Sequence, residues 1–428
     1  MPRPRKNAPK PNTQELSLVP VEDQPYPLPE GWKWVRGHAL FKPQVSLRPS
    51  GTTFKYIDID AVNNKNQTIQ SAKILPTSEA PSRANRGVHE GDTLFSMVRP
   101  YLRNIAYVDA SLSDAIASTG FYICSPLDGC NSRYIFHMMT SCYVVDGLNK
   151  FMKGDNSPSV RKGDIENFPF PLPPLDEQER IVTRIESLFA KLDEAKEKAE
   201  AVLDSFETRK AAILHKAFTG ELIGKKDVTP TSLESILNTI RIGPFGSALH
   251  EEDYIDDGIP VINPKHIVKQ RIQAQRKVSI TSQKAEELAS YRLAENDIIL
   301  GRRGEMGRCA PVTAQEAGWL CGTGSMILRP KPGFSAKFYS LIISSQASVQ
   351  YLETNAVGTT LKNLNEKIVR KLPIPEFTAE EQKQLTRMLD SLLEKEQQSK
   401  EAAETVLEQI DLMKKAILAK AFRGELGN

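Results

Sequence analysis

Several short stretches bring guanidinium, ammonium and small hydrogen-bonding side chains together, and their chemistry is that of anion and base-edge recognition. Arg99-Pro100-Tyr101-Leu102-Arg103 sets two guanidiniums beside an aromatic ring. The loop from Lys150 to Lys162 mixes cations with Asn and Ser among Gly154 and Pro158. Gly301-Arg302-Arg303-Gly304-Glu305-Met306-Gly307-Arg308 and Gly358-Thr359-Thr360-Leu361-Lys362-Asn363 repeat the theme farther along. Arg and Lys can pair with guanine edges or phosphates, Asn with adenine, and Ser or Thr with either. The candidates for nucleic-acid contact are therefore Arg99, Tyr101, Arg103, Lys153, Asn156, Ser159, Arg161, Lys162, His266, Arg302, Arg303, Arg308, Thr359, Thr360, Lys362 and Asn363. For any single one, a solvated surface charge is the commoner reading. The argument for binding is that the loops recur at matched positions of a repeat.

Catalytic constellations are not found. Gly220-Glu221-Leu222-Ile223-Gly224-Lys225-Lys226 lacks one spacer and the Ser/Thr of a phosphate-binding loop, and no GxGxxG turn occurs. An amino-methyltransferase would need an Asp/Asn-Pro-Pro-aromatic tetrapeptide, which is absent. Glu-x-Lys, part of a metal-dependent nuclease set, occurs only on stretches that read as helix (Glu194–Lys196, Glu381–Lys383). The six histidines make no ligand spacing. Five cysteines without a CxxC pair predict reduced thiols and neither zinc nor disulfides. No catalytic, cofactor-binding or metal residue is assigned, and a stand-alone nuclease is the disfavoured alternative.

The elements that must position those loops come in two copies. Residues 210–222 read KAAILHKAFTGEL and residues 414–426 read KKAILAKAFRGEL, ten of thirteen positions identical at an offset of 204. The same offset carries Pro169 and Pro171 onto Pro373 and Pro375, Glu177-Gln178 onto Glu381-Gln382, Thr119-Gly120 onto Thr323-Gly324, and Gly154 onto Gly358. Solenoid repeats run roughly 20 to 50 residues, so this is a domain-sized duplication. The chain of 428 residues with net charge +3 holds several domains. Its basic excess lies in residues 26–170 and 230–375, while 171–229 and 376–428 are mildly acidic. No apolar run is long enough to span a membrane, and the basic, Pro-rich start reads as a disordered tail rather than a secretory signal.

The predicted order is tail (1–25), first globular domain (26–170), helix (171–225), second globular domain (226–375), helix (376–428). Asp176 and Thr378 are the expected N-caps, the latter with Glu381 in a capping box, and Gly220 and Gly424 suit left-handed C-terminal caps. Apolar residues then step by about 3.5, predicting a paired seam of Ile181, Ile185, Leu188, Leu192, Val202 and Phe206 with Leu385, Leu389, Leu392, Val406, Ile410 and Met413. Polar Glu396 and Ser399 would weaken its middle. A helix of this length reaches roughly 65 Å. The globular halves read as mixed α/β, with β-rich runs at 55–60, 93–98, 104–108, 259–262, 297–300 and 325–328. Residues 91–95 align with 295–299 after a slip of one.

These motifs together resemble the DNA specificity (S) subunits of type I restriction–modification systems. The carrying segments are LPEGW (28–32), FPFPLPPLDEQERIV (168–182), GPFGSALHEEDYIDDGIPVI (243–262) and the two KAF-x-GEL stretches. The resemblance implies an α+β fold with two related mixed α/β target-recognition domains, separated by two long antiparallel coiled-coil helices in a pseudo-twofold arrangement. It implies double-stranded DNA as ligand, each domain reading half of a bipartite asymmetric target. Two methyltransferase (M) subunits would dock on the helices, with restriction (R) subunits joining through the complex. S-adenosylmethionine, ATP and Mg would belong to those partners, and the setting would be cytoplasmic. The alternative left open is a coiled-coil scaffold whose globular halves bind proteins.

Overall fold

The computed structural model describes residues 18–245, 248–358 and 362–427. The chain divides into two compact units, Met1–Ala199 with Thr405–Asn428, and Glu200–Glu404. Each unit holds one globular domain, the first part of the helix that follows that domain, and the end of the other helix.

In the first unit β1 (Lys33–Arg36) is followed by β2 (Thr53–Ile57), β3 (Val62–Asn63), β4 (Thr68–Ile69), β5 (Lys73–Pro76), β6 (Ala84–Gly87), β7 (Thr93–Ser96), β8 (Ile105–Tyr107), β9 (Ile116–Ser118) and β10 (Phe121–Cys124). Helices α1 (Ser132–Thr140), α2 (Cys142–Asn149) and α3 (Lys162–Asn167) precede β11 (Pro169–Leu172) and the long α4 (Leu175–Asp204). The sheets are β5-β2-β9-β6, β10-β7-β8, and the pairs β1-β11 and β3-β4.

The second unit runs α5 (Phe206–Phe218), β12 (Pro230–Ser232), β13 (Leu237–Ile242), β14 (Ile259–Ile262), β15 (Ile267–Val268), β16 (Arg271–Ile272), β17 (Ser279–Ile280), α6 (Ser282–Glu287), β18 (Ile298–Gly301), β19 (Cys309–Pro311), β20 (Leu320–Cys321) and β21 (Ser325–Pro330). It closes with α7 (Ala336–Ile343), α8 (Gln346–Asn355), α9 (Glu366–Arg370), β22 (Pro373–Pro375) and α10 (Ala379–Phe422). Its sheets, β17-β14-β20, β13-β21-β18-β19, β12-β22 and β15-β16, repeat the first unit's plan. In each unit one parallel pair interrupts otherwise antiparallel pairing, Tyr56 opposite Ile116 and Val261 opposite Leu320. The β-rich runs expected from the sequence fall on β2, β7, β8, β14, β18 and β21. The slip of one shows in a buried aspartate. Asp92 Oδ2 accepts from His89 N and Asp297 Oδ2 from Ala294 N, each at 2.8 Å.

The repeated Glu-Gln has a structural cause. Gln178 and Gln382 are each 1% exposed. Gln178 Oε1 accepts from Asn131 N at 2.8 Å while its Nε2 donates to Pro173 O at 2.9 Å. Gln382 Oε1 accepts from Ser335 N at 3.2 Å and its Nε2 donates to Phe377 O at 2.9 Å. A buried amide must be satisfied in this way, and here it fastens a helix start to the loop before α1 or α7. Thr378 and Glu381 form the expected reciprocal cap. Asp176 is not a cap, because α4 already begins at Leu175 and Asp176 sits in its first turn. Gly220 and Gly424 have φ of 83° and 73°, and a Cβ on Gly424 would lie 2.2 Å from Pro29 Cγ.

Both helical regions depart from the predicted seam. The first is broken between α4 and α5 at Ser205, whose hydroxyl donates back to Ala201 O at 2.6 Å, a bond that competes with the helical ladder. In the second unit Lys400 lies over the Phe206 ring and Arg209 Nε pairs with Glu396 at 2.7 Å, so α5 and the first part of α10 run antiparallel. Glu396 is thus paired within the seam. Along α10 two four-residue steps in succession, Leu392 to Glu396 to Lys400, shift the phase. Beyond that point Leu407, Ile410, Lys414 and Ile417 turn inward. Val406 and Met413, expected inside, are 38% and 49% exposed. In the first unit Lys414 packs over Phe189 and pairs with Asp193 at 2.5 Å, a position its aliphatic stem can cover.

Each KAF stretch ends in a core. In the first unit Ala421 and Phe422 join Tyr134, Met138, Phe170, Ile181 and Ile185. Within the second unit Ala217 joins Phe338, Ile374, Leu385 and Leu389, with Phe218 partly buried against them. Part of the expected tail is ordered too. Leu18 bridges to Val35, and Val19 is buried, its N–H donating to Trp34 O at 3.0 Å. Residues 1–17 lie outside the described residues.

Candidate nucleic-acid interface

The arginine loop of the first unit leaves β7 and is bracketed by two left-handed arginines, Arg99 (φ 48°) and Arg103 (φ 58°), around the turn Pro100–Leu102. Its partner is a glycine hairpin. Lys153 and Ser159 exchange both backbone bonds at 3.0 Å around Gly154 (φ 103°). The two segments are joined in register, because Val160 N donates to Met97 O at 2.9 Å and Arg99 N to Pro158 O at 2.8 Å. The Arg99 guanidinium donates to Asn156 O at 2.9 Å. Backbone sharing of this kind makes one rigid edge from segments some sixty residues apart.

The second unit builds the same frame. Val357 and Asn363 exchange bonds at 3.1 and 2.8 Å beyond Gly358 (φ 111°). Leu364 N donates to Arg302 O at 2.9 Å and Arg303 bridges to Asn363. A third bond recurs as well, Met97 N to Gly120 O at 2.9 Å and Arg302 N to Gly324 O at 2.8 Å, and both positions call for glycine, because a Cβ there would lie 2.9 Å from Ile59 Cδ1 or Pro264 Cδ. Gly154 and Gly358 carry a positive φ that other residues avoid. The frame is shared and the side chains it displays are not. Val98, Arg99, Lys153 and Ser159 stand where the second unit has Arg303, Gly304, Val357 and Asn363.

The candidate residues separate by environment. Arg99, Tyr101, Lys153, Asn156, Arg161, Lys162, Arg303 and Lys362 are exposed, and the loop also presents Leu102 at 41% exposure. Lys162 lies 3.4 Å from Glu166, and Lys362 Nζ donates to Glu353 O at 3.0 Å. Ser159 and Asn363 are half-buried within their hairpins. Besides Arg99, three arginines hold backbone. Arg103 Nη2 donates to Thr140 O at 2.5 Å, Arg302 Nε to Leu364 O at 3.0 Å, and Arg308 Nη1 to Pro264 O at 3.3 Å. Burial, then the neighbouring Arg303, lowers the basicity of Arg302.

His266 is buried, and its Nδ1 accepts from Asn263 N at 3.1 Å. Burial, with Lys265 nearby, lowers its pKa. It caps a turn and is not presented to a ligand, a role that its lack of sequence partners left open. Thr359 and Thr360 lie outside the described residues. One neighbouring element escaped the sequence pattern. The polar run Asn63-Asn64-Lys65-Asn66-Gln67 between Val62 and Ile69 forms the hairpin β3-β4, and only its turn-rich composition signals it.

Among the described residues no group of three or more His, Cys, Asp or Glu could hold a metal ion, and no helix is long and apolar enough to cross a membrane. The five cysteines are free.

The family profile for the type I restriction modification DNA specificity domain matches residues 40–203 and again 232–409, once in each half of the repeat. The chain belongs to this family. It is similar to the Type I restriction enzyme EcoBI specificity subunit of Escherichia coli, 24% identical over 321 residues, which cover 70% of this chain and 66% of that one. The EcoKI specificity subunit of Escherichia coli strain K12 is 23% identical over 309 residues, 69% of this chain and 66% of the relative. The matched region thus falls just short of two thirds of these relatives' length. Among solved structures, the HsdS subunit from Thermoanaerobacter tengcongensis is 26% identical with a TM-score of 0.69, over 94% of this chain and 99% of that one. A chain from a structure described as the basis of complex assembly and conformational transition of the type I R-M system has 26% identity and a TM-score of 0.74, over 94% and 100%. The architecture is accordingly α+β with two related domains.

Proposed function

We propose that this chain is the non-catalytic DNA-reading subunit of a type I restriction–modification complex. Each arginine loop with its glycine hairpin would face one half of a bipartite, asymmetric duplex target. The long helices would set the distance between halves and dock two M subunits, with R subunits joining through the complex. S-adenosylmethionine, ATP and Mg would be held by those partners, in the cytoplasm. The observation that carries this reading is one frame built twice with different side chains. A common frame suits a common ligand, the phosphate backbone, while differing side chains suit different base edges.

The test is a base-modification map of the host genome with and without the gene. A two-part methylated motif that vanishes with the gene is expected, and a map unchanged by its loss refutes the reading. Inserting one heptad in both helical regions, about 10 Å of rise, should alter the unread gap and leave both half-motifs intact. An unchanged gap would remove the helices' role as a ruler.

A further inference from the structure

Beside the arginine loop of each unit stands a second element that occurs twice. β3-β4 is a hairpin with the tip Asn64-Lys65-Asn66-Gln67, and β15-β16 is one with the tip Lys269-Gln270. The first hairpin lies against β8 and the second against β19, the strands that leave the two arginine loops. Each is also bonded toward its loop. Asn64 Nδ2 donates to Leu102 O at 2.9 Å. In the second unit Arg308 donates to the carbonyl of Pro264, the residue that opens the turn into β15.

The tips share an unusual chemistry. Residues 62–69 and 267–272 contain no carboxylate, although a quarter of the chain is charged, with near equal numbers of each sign. Lys65, Asn66, Lys269 and Arg271 are exposed. Among the described residues the Asn66 side-chain carboxamide and the Arg271 guanidinium carry no intramolecular hydrogen bond or ion pair, while the Asn66 backbone N–H donates to Asn63 Oδ1 at 3.2 Å. Both turns are held in left-handed backbone, Gln67 at φ 51°, Lys269 at 48° and Gln270 at 59°. The two-residue turn of β15-β16 is of a kind that favours Asn and Gly. The Gln270 amide on the Ser344 hydroxyl helps keep the less suited residues there.

We infer that, granting the DNA reading proposed above, these hairpins are the second base-reading element of each unit. Asn66 contacts an adenine edge in one half of the target and Arg271 a guanine edge in the other, the pairings their donor and acceptor geometry favours. Lys65 and Lys269 neutralise flanking phosphates. The two tips differ as the halves of an asymmetric target require, and neither hairpin carries an acidic group of its own.

The test is methylation mapping in cells carrying the intact complex with Asn66→Ala or Arg271→Ala. Asn66→Ala should relax one A·T position in one half-motif, lowering discrimination there by roughly 5- to 150-fold, with the other half unchanged. Arg271→Ala should relax one G·C position in the opposite half. Lys65→Ala in the purified complex should weaken binding alike at all sequences and shift the salt slope by about one. Base preferences unaltered in both variants, with methylation intact, overturn the assignment. Should Asn66→Ala abolish methylation by unfolding the chain, Asn66→Ser keeps a polar tip, and an unchanged motif in that variant overturns it equally. If the unsubstituted chain directs no two-part motif, the reading under Proposed function has failed instead.

Discussion

Replacing Phe422 by Ala should loosen the first unit far more than the matching change at Phe218 loosens the second. Phe422 is 1% exposed, its ring stands edge-on to Tyr134 at 5.4 Å, and its carbonyl accepts from the Tyr26 hydroxyl at 2.9 Å. Removing such a ring from a packed core costs about 3 to 5 kcal/mol. Phe218 is only partly buried, and its nearest ring, Phe338, lies at 6.1 Å, so about 1 to 2 kcal/mol is expected there by the same scaling. With two units in one chain, a single unfolding free energy is not well defined, and hydrogen exchange by peptide is the suitable assay. Three to 5 kcal/mol corresponds to roughly 150- to 5,000-fold faster exchange where exchange reports the opening equilibrium. That loss should appear in peptides from α1 and the end of α10, with α5 and α7 unchanged. Equal effects of the two substitutions, or a change below tenfold at α1 in Phe422→Ala, would refute the packing argument.

Other outcomes follow from particular contacts. Gln178→Ala strands the Asn131 N–H and should cost about 1 to 3 kcal/mol, read as a lower urea midpoint for the first unit; a loss within error would show the amide to be dispensable. Ile410→Ser should destabilise by about 2 kcal/mol or more, whereas Met413→Ser should stay within about 0.5 kcal/mol; comparable losses from the two would restore the seam expected from the sequence, which held both inside. Acid should loosen α1 from α4. The Glu186 carboxyl is held down to about 2, first by the His137 ring N–H and also by Arg133, so its contribution is present above the ordinary value near 4.5 and lost as pH falls toward 2. His137, buried and neutral, has a lowered pKa, so its contribution is full above about 6.5 and declines as pH drops below that. Melting temperatures at neutral and acid pH should therefore fall less in Glu186→Gln than in the unsubstituted chain, and parallel curves would contradict this.

What the sequence made legible was what the fold needs twice. Gln178 and Gln382, Gly154 and Gly358, Gly220 and Gly424, and the Thr-Gly pairs stood out because one offset links them. Each proves to satisfy a buried backbone group, to occupy a positive φ or, in the Thr-Gly glycines, to leave no room for a side chain. The candidate loops were legible as composition, and their bonding into one frame was not, because nothing local in residues 97–103 points to residues 153–160. Arg103, Arg302 and Arg308 look in sequence like ligands for an anion, and only their carbonyl partners show them holding backbone. The seam error has the same origin. Val406 and Met413 keep a period near 3.5, and the phase shift at Glu396 becomes visible only once that carboxylate has found Arg209.

Shared cores also imply an order of assembly. The second unit is made of one continuous stretch, Glu200–Glu404, while the first needs Thr405–Asn428 to return to Met1–Ala199. Closing so distant a contact carries an entropy cost that grows only slowly with length, so the burial of Phe422, Ala421 and Leu418 can offset it. Until that return, Tyr134, Met138 and Ile185 lack part of their cover. A chain ending at residue 404 should keep native exchange protection in β18, β21 and α7, and lose it in α1 and the first turns of α4. Restoring residues 405–428 as a separate peptide at a concentration above its Kd should recover that protection, because the contact is made by side chains and does not depend on connectivity. Equal protection of α1 with and without those residues would mean that the first unit's core closes on its own, and that the repeated KAF stretch has some purpose other than completing it.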